Sequence, residues 1–160
     1  MYQWLAKSDI THFMMGPPRF PDVDVPTWEE FRDDYTLDYF TSPSPKGGGC
    51  FIIHADSRRV GQINYNAFDV SKGLVELDIW LSGADVVGKG YGSDALLTLC
   101  GHLKERHGCH TFVVGPSARN PEAIRAYQRM GFKKMAEVPS ALRPDYYDTV
   151  WLGLRLSDNV

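Results

Sequence analysis

Cysteine, long apolar runs and positive charge are all scarce in this sequence, and each shortage excludes something. The three cysteines, Cys50, Cys100 and Cys109, form neither an even disulfide set nor a Cys-x-x-Cys pair, which points to buried thiols in a reducing cytoplasm. No stretch approaches the roughly 18 apolar residues of a membrane span, and the chain does not open on a basic segment followed by an apolar one. Neither membrane insertion nor secretion is expected. Lys and Arg total 17 against 20 Asp and Glu, a formal charge of -3 with a pI near 5.9. Binders of nucleic acid and of anionic membranes concentrate Lys and Arg on one face, so neither partner suits this chain. A cationic small molecule suits it better.

Two further readings fail for want of particular atoms. Gly83-Ala84-Asp85-Val86-Val87-Gly88-Lys89 follows most of a P-loop, but Gly90 stands where a Ser or Thr hydroxyl must ligate Mg²⁺. Cys100, His102, His107, Cys109 and His110 cluster in sequence without a standard zinc spacing, mostly along or just beyond one helix. No metal is expected. His12 and His54 take a surface or core role.

What is present describes an ordinary globular chain. Its 160 residues, 43% hydrophobic and 23% charged, predict one domain over 1–160 with a substantial core and no internal repeat. Met1 to Met15 has helical spacing and stops at Gly16-Pro17-Pro18. Thr27-Trp28-Glu29-Glu30 reads as a capping box ahead of a helix from Trp28 to Tyr39. Ser42 to Gly49, rich in Pro and Gly, is a surface connection. Strands follow at Cys50 to Ala55, Val60 to Phe68 and Leu74 to Leu81, joined by turns at Asp56-Ser57-Arg58 and Asp69 to Gly73. The longest helical pattern runs from Gly90 to His107. Beyond it come a strand at Thr111 to Val114, a helix at Pro121 to Met130, and strands at Phe132 to Val138 and Thr149 to Leu156. The class is α/β with a mixed sheet.

Two motifs carry chemistry. Gly88-Lys89-Gly90-Tyr91-Gly92-Ser93 opens the long helix, where unpaired N–H groups and the positive dipole end meet glycines that let the backbone approach a phosphate. Lys89 adds positive charge. Asn120-Pro121-Glu122-Ala123-Ile124-Arg125-Ala126-Tyr127 opens the next helix and supplies an amide and a phenol. Together they suit a pyrophosphate-bearing thioester and group transfer. On its strand, Asp78 alternates with Glu76 and Trp80, opposite Leu77, Ile79 and Leu81, and so projects a carboxylate from the sheet. Plainer roles fit the same residues. Gly88 to Gly92 reads equally as a tight turn, Asp78 as a solvated strand residue, Asn120-Pro121 as an ordinary cap with a first-turn proline, and Tyr127 as core beside Ala123 and Met130.

These residues resemble the GNAT acetyltransferase superfamily, and within it the branch of aminoglycoside 6'-N-acetyltransferases. The likeness extends over nearly the whole chain. It rests on Tyr2-Gln3-Trp4-Leu5, Gly61-Gln62-Ile63, Gly88-Lys89-Gly90-Tyr91-Gly92, Asn120-x-x-Ala123-Ile124-Arg125-x-Tyr127 and Gly131-Phe132. The resemblance implies a GNAT fold: a mixed, mostly antiparallel sheet splayed at an acetyl-CoA site, with helices on both faces. It also implies that the chain starts inside the first helix, with the family's usual first strand absent or not retained, which leaves an altered sheet edge.

For the site, the resemblance implies acetyl-CoA in a V-shaped opening between the strand ending at Leu81 and the strand Thr111 to Val114. Its pantetheine arm would pair with backbone near Trp80 and Leu81, and with Asn120 and Ala123. Its pyrophosphate would sit on N–H groups of Val87, Gly88, Lys89, Gly90, Tyr91, Gly92 and Ser93. Val87 replaces the family's usual Arg or Gln, which shifts phosphate binding toward backbone. Asp78 becomes the base or proton relay, with Glu76 in reserve through water, and Tyr127 the acid toward the departing sulfur. An unperturbed phenol titrates near pH 10 and so holds its proton at neutral pH.

The acceptor is the open end of this reading. Asp22, Asp24, Glu29, Glu30, Asp33, Asp34 and Asp38, offset locally by Arg32 alone, would steer a polyamine-like substrate; a solvated helix face explains them equally. Gly115 stands where the aminoglycoside branch often has an acceptor-binding Asp, and the turn Asp69 to Gly73 is short for an acidic flap. Three functions follow: acetylation of a small amine such as an aminoglycoside, acylation of a siderophore-type hydroxylysine or a peptide amine, or a non-catalytic acyl-CoA-binding module. Either a monomer or a homodimer is compatible.

Overall fold

Turn chemistry and apolar alternation set the sheet. The computed structural model describes residues 1–15, 24–41, 47–69 and 72–157. β1 (Gly49–Ala55) and β2 (Arg58–Asp69) pair antiparallel across a tight turn. Asp56 and Ser57 there hold φ of 49° and 63°, the backbone whose twist matches that of the flanking strands. β3 (Leu74–Leu81) runs antiparallel to β2. Gly61 allows a close approach, since a β-carbon on it would come within 2.6 Å of the Trp80 carbonyl oxygen. β4 (Thr111–Val114), β5 (Lys133–Lys134) and β6 (Leu152–Arg155) complete a six-stranded sheet of order β1-β2-β3-β4-β6-β5. Only β3 and β4 run parallel, and they pair from Leu74 to Glu76 alone. From Leu77 onward β3 has no strand partner on that side among the described residues, so the sheet splays.

Alternation along β2 and β3 gives each face its own core. Ile63, Tyr65, Val75 and Leu77 meet Leu96, Leu99, Cys100 and Leu103 of α5 (Tyr91–His107) on one face. The opposite face presents Trp80 to Leu5, Met15 and Phe31 from α1 (Tyr2–Lys7), α2 (Thr11–Met15) and α3 (Trp28–Asp34). Burying such side chains contributes roughly 1.5–3 kcal/mol each. α5 closes at Gly108, φ 68°, whose N–H reaches the Leu103 and Lys104 carbonyls in the left-handed stop that glycine favours. α4 (Leu37–Thr41) and α6 (Pro121–Arg129) complete the helices, which lie on both faces as expected.

Several expected elements are shorter or broken. The helix expected over Met1 to Met15 divides at Ser8-Asp9-Ile10: Ser8 is extended, and the Asp9 carboxylate accepts the Ala84 N–H at 2.9 Å. The helix expected from Trp28 to Tyr39 keeps its capping box, with Thr27 and Glu30 bonded reciprocally, but breaks at Tyr35 and Thr36 before α4. Tyr35 there stacks on Phe31 and meets Trp80 edge-on, so tertiary packing overrides helical propensity. The strand expected over Phe132 to Val138 is reduced to Lys133–Lys134, and the one over Thr149 to Leu156 to Leu152–Arg155 plus an isolated bridge between Ser117 and Thr149. Gly16-Pro17-Pro18, most of the Ser42 to Gly49 connection and the middle of the Asp69 to Gly73 turn lie outside the described residues.

Candidate active site

The splay between β3 and β4 opens a cleft of about 1550 Å³. It is bounded by the start of α5, by α6, by α2 and the α3–α4 break, and by the loop carrying Asp145 and Tyr146. At the α5 start, Gly88 and Gly90 hold φ of 75° and 87°, and a β-carbon on either would stand in open space with nothing within 4 Å. The first helical bond runs from the Asp94 N–H to the Gly90 carbonyl at 3.0 Å. The N–H groups of Tyr91, Gly92 and Ser93 therefore precede the helix ladder, and all three residues line the cleft. Such a row of donors at the positive end of a 17-residue helix suits an anion. Lys89 is exposed beside it, and Val87, 47% exposed, is an apolar neighbour.

On α6 the Asn120 side chain accepts the Ala123 N–H at 3.1 Å, and Pro121 occupies the first turn. Asn120 is thus a true cap, and it lines the cleft as well. Tyr127 packs against Phe132 with ring centroids 5.7 Å apart. Burial first, and then the charges of Asp78 and Tyr146, push its phenol above the ordinary tyrosine value. It keeps its proton at any physiological pH.

β3 brings the carboxylates in. Glu76, Asp78 and Trp80 share the face toward the N-terminal helices, as alternation predicts. Asp78 meets water from the cleft while protein crowds its other sides. Its carboxyl is raised to about 6 by desolvation and then by the Asp145 charge, against a lowering hydrogen bond from the Ile79 N–H at 2.8 Å. Glu76 is raised to about 7 by burial, by Asp145 and by Asp78, with an opposing bond from Asn66. Carboxyls held near neutrality can take up and release a proton at working pH, which is what a general base requires. The Trp80 indole N–H, in a side chain 7% exposed, has no protein partner among the described residues.

Several lining residues were not foreseen from sequence. Asn64 lines the cleft from β2 and accepts at its Oδ1 from Nε2 of Gln62 at 2.8 Å; Gln62 is buried behind it, and its Oε1 accepts from Cys50 Sγ. The Tyr39 hydroxyl donates to Asn66 Oδ1 at 3.0 Å. Burial pushes the Tyr35 and Tyr39 phenols up, and the Asp145 carboxyl with them. The Tyr146 hydroxyl crosses the cleft to the Met14 carbonyl. Its loop is fastened by Asp148, which accepts from Ser117 Oγ at 2.9 Å and from Arg119 Nε at 2.9 Å. The one sequence signal for this loop was the Asp145-Tyr146-Tyr147-Asp148 run. Gly115, which also lines the cleft, has a packing reason: a β-carbon there would meet the Trp151 ring at 2.7 Å.

Cys50, Cys100 and Cys109 are all buried and free. Among the described residues, no group of three His, Cys, Asp or Glu is disposed to hold a metal ion, and no helix is long and apolar enough to cross a membrane.

The family description "Acetyltransferase (GNAT) domain" matches residues 1–133, and the chain belongs to that family. Its solved structural neighbours include AAC(6')-Ib in complex with ribostamycin and coenzyme A, with a TM-score of 0.75 at 21% identity over 96% of this chain and 85% of that one. The aminoglycoside acetyltransferase AAC(6')-Ib with coenzyme A and kanamycin superposes with a TM-score of 0.73 at 20% identity, over 96% and 86%. A spermidine N-acetyltransferase from Vibrio cholerae matches more distantly, with a TM-score of 0.56 at 15% identity over 68% and 65%. At such identities these likenesses establish the fold. No curated protein matches the chain in sequence.

Proposed function

We propose that this chain is an N-acetyltransferase that moves the acetyl group of acetyl-CoA to a primary amine of a small cationic acceptor of the aminoglycoside class. The observation that carries the reading is one cleft joining an anion-ready helix start, an unpaired strand edge and a carboxyl–phenol pair. The N–H groups of Tyr91, Gly92 and Ser93 hold the pyrophosphate, with Lys89 beside them. The free edge of β3 at Leu81, next to Trp80, pairs with the pantetheine arm, and Asn120 and Ala123 stand across from it. A side chain at Gly88 or Gly90 would project into open space beside the helix start, and glycine leaves that space to a phosphate.

Asp78 accepts the proton of the attacking amine, directly or through water, with Glu76 behind it. Tyr127 donates its proton to the departing thiolate. Each of the two groups holds the protonation state that its step begins from: a carboxyl ionised above about pH 6, and a phenol kept neutral by burial. Glu76, Asp78 and Asp145 together favour a cationic acceptor. The Tyr146–Met14 bridge limits the room above them and favours a small molecule over an extended peptide. Buried free thiols agree with a cytoplasmic setting.

Release of thiol from acetyl-CoA tests the reading. Turnover is expected with kanamycin-type amines and not with lysine or hydroxylysine derivatives. The reverse pattern would move the chain to siderophore or peptide chemistry, and binding of acetyl-CoA without turnover on any amine would make it a binding module.

A further inference from the structure

The Ile79 N–H occupies an unusual place. The Ser82 N–H donates to the Val60 carbonyl at 2.9 Å in register with the β2–β3 ladder, so alternation directs even-numbered peptide groups of β3 toward β2 and odd-numbered ones away from it. Beyond Glu76 the odd-numbered groups face the splay, where β4 has already departed. Ile79 is one of them, and its N–H is taken at 2.8 Å by the carboxylate of its own neighbour, Asp78. One bond thus occupies both a donor facing the cleft and an oxygen of the carboxylate assigned as base.

A thioester carbonyl held along this edge needs a donor of that kind, because negative charge gathers on its oxygen during attack. We propose that Asp78 surrenders the Ile79 N–H to the carbonyl oxygen when acetyl-CoA enters, so that loading the site both supplies the donor and frees the carboxylate to act as base. The inference rests on the acetyl-CoA reading above. A carboxylate that loses a hydrogen bond from an N–H holds a proton more tightly. The other groups facing Asp78 push the same way or are neutral: Glu76 on its strand, Asp145 and Tyr146 on the loop, Tyr35, Tyr39 and Tyr127 from the helices, and Cys50 from β1. Proton affinity therefore rises on loading, and Asp78 gains strength as a base only when there is an acetyl group to transfer.

The signature is proton uptake on binding. Titrating acetyl-CoA calorimetrically into the full chain at about pH 6.5, in two buffers of different ionisation enthalpy, counts the protons exchanged. A net uptake of a fraction of one proton is expected, with affinity falling as pH rises through the range where Asp78 titrates. Coenzyme A, which lacks the carbonyl, is expected to take up less. Asp78→Asn keeps an oxygen to accept the Ile79 N–H and is expected to bind acetyl-CoA without the uptake. Binding with no proton uptake, equal uptake with coenzyme A, or undiminished uptake in Asp78→Asn overturns the displacement and leaves the acetyltransferase reading standing. Failure of acetyl-CoA to bind at all overturns both.

Discussion

The anion-ready half of the cleft comes from one stretch of chain, Trp80 to Tyr127, whereas the half proposed for the acceptor joins residues as distant as Met14 and Tyr146. The first half uses backbone: two glycines at positive φ, a helix start and the unpaired edge of a strand. The second uses side chains, with carboxyls and phenols from β3, the α3–α4 break and the loop fastened by Asp148. Backbone recognition reads a feature common to all acyl-CoA donors. A side-chain wall can be rebuilt for another acceptor without disturbing the sheet, which fits the general observation that function is grafted onto folds.

That division makes the halves separable by mutation. The largest effect is expected where they meet. Asp78→Asn should lower kcat by about 10²- to 10⁴-fold, the range of a general base, while acetyl-CoA affinity changes by less than about threefold. The acid limb of turnover in the wild type should lie at or above about pH 6, because a raised carboxyl is lost as a base when pH falls through its own value. The sign reverses for stability. Carboxyls whose folded values are raised favour the folded state more as pH falls from 7 toward 5, so thermal stability over that interval should rise where activity declines.

In the backbone half, Gly90→Val places a β-branched residue at φ 87° and a side chain in the open space of the cleft. About tenfold or more loss of acetyl-CoA affinity is expected by titration, with the acceptor KM little changed. Asp148→Ala tests the other half. It strips the Ser117 hydroxyl and the Arg119 guanidinium of a carboxylate that is 17% exposed. About 1 kcal/mol of stability, or about 2–4 °C in Tm, should be lost, and the acceptor KM should rise about fivefold while that for acetyl-CoA holds. Tyr146→Phe, which removes only the bridge to Met14, should shift the acceptor KM by about threefold or less. Equal effects on both substrates from either of the last two variants would erase the distinction between the halves.

The same distinction explains what was legible in the sequence. The glycines of Gly88 to Gly92, the capped start at Asn120-Pro121 and the alternation of Glu76, Asp78 and Trp80 are local patterns, and local geometry followed from them. The splay was expected only through family resemblance, since no residue announces that β4 parts from β3 after Glu76. The breaks at Ser8 to Ile10 and at Tyr35 were invisible because their causes lie far off in sequence, in the Asp9–Ala84 bond and in the packing of Tyr35 on Trp80. Asp145 and Tyr146 were missed for the same reason: what seats their loop is Asp148 on Ser117 and Arg119, a contact no periodicity encodes.

A crystal structure of this chain with coenzyme A tests the central claim most directly. The pyrophosphate should rest on the N–H groups of Tyr91, Gly92 and Ser93, the pantetheine arm along the edge of β3 left open by β4, and the sulfur between Asp78 and Tyr127. Coenzyme A bound elsewhere, or a splay filled by the protein's own side chains, would contradict it.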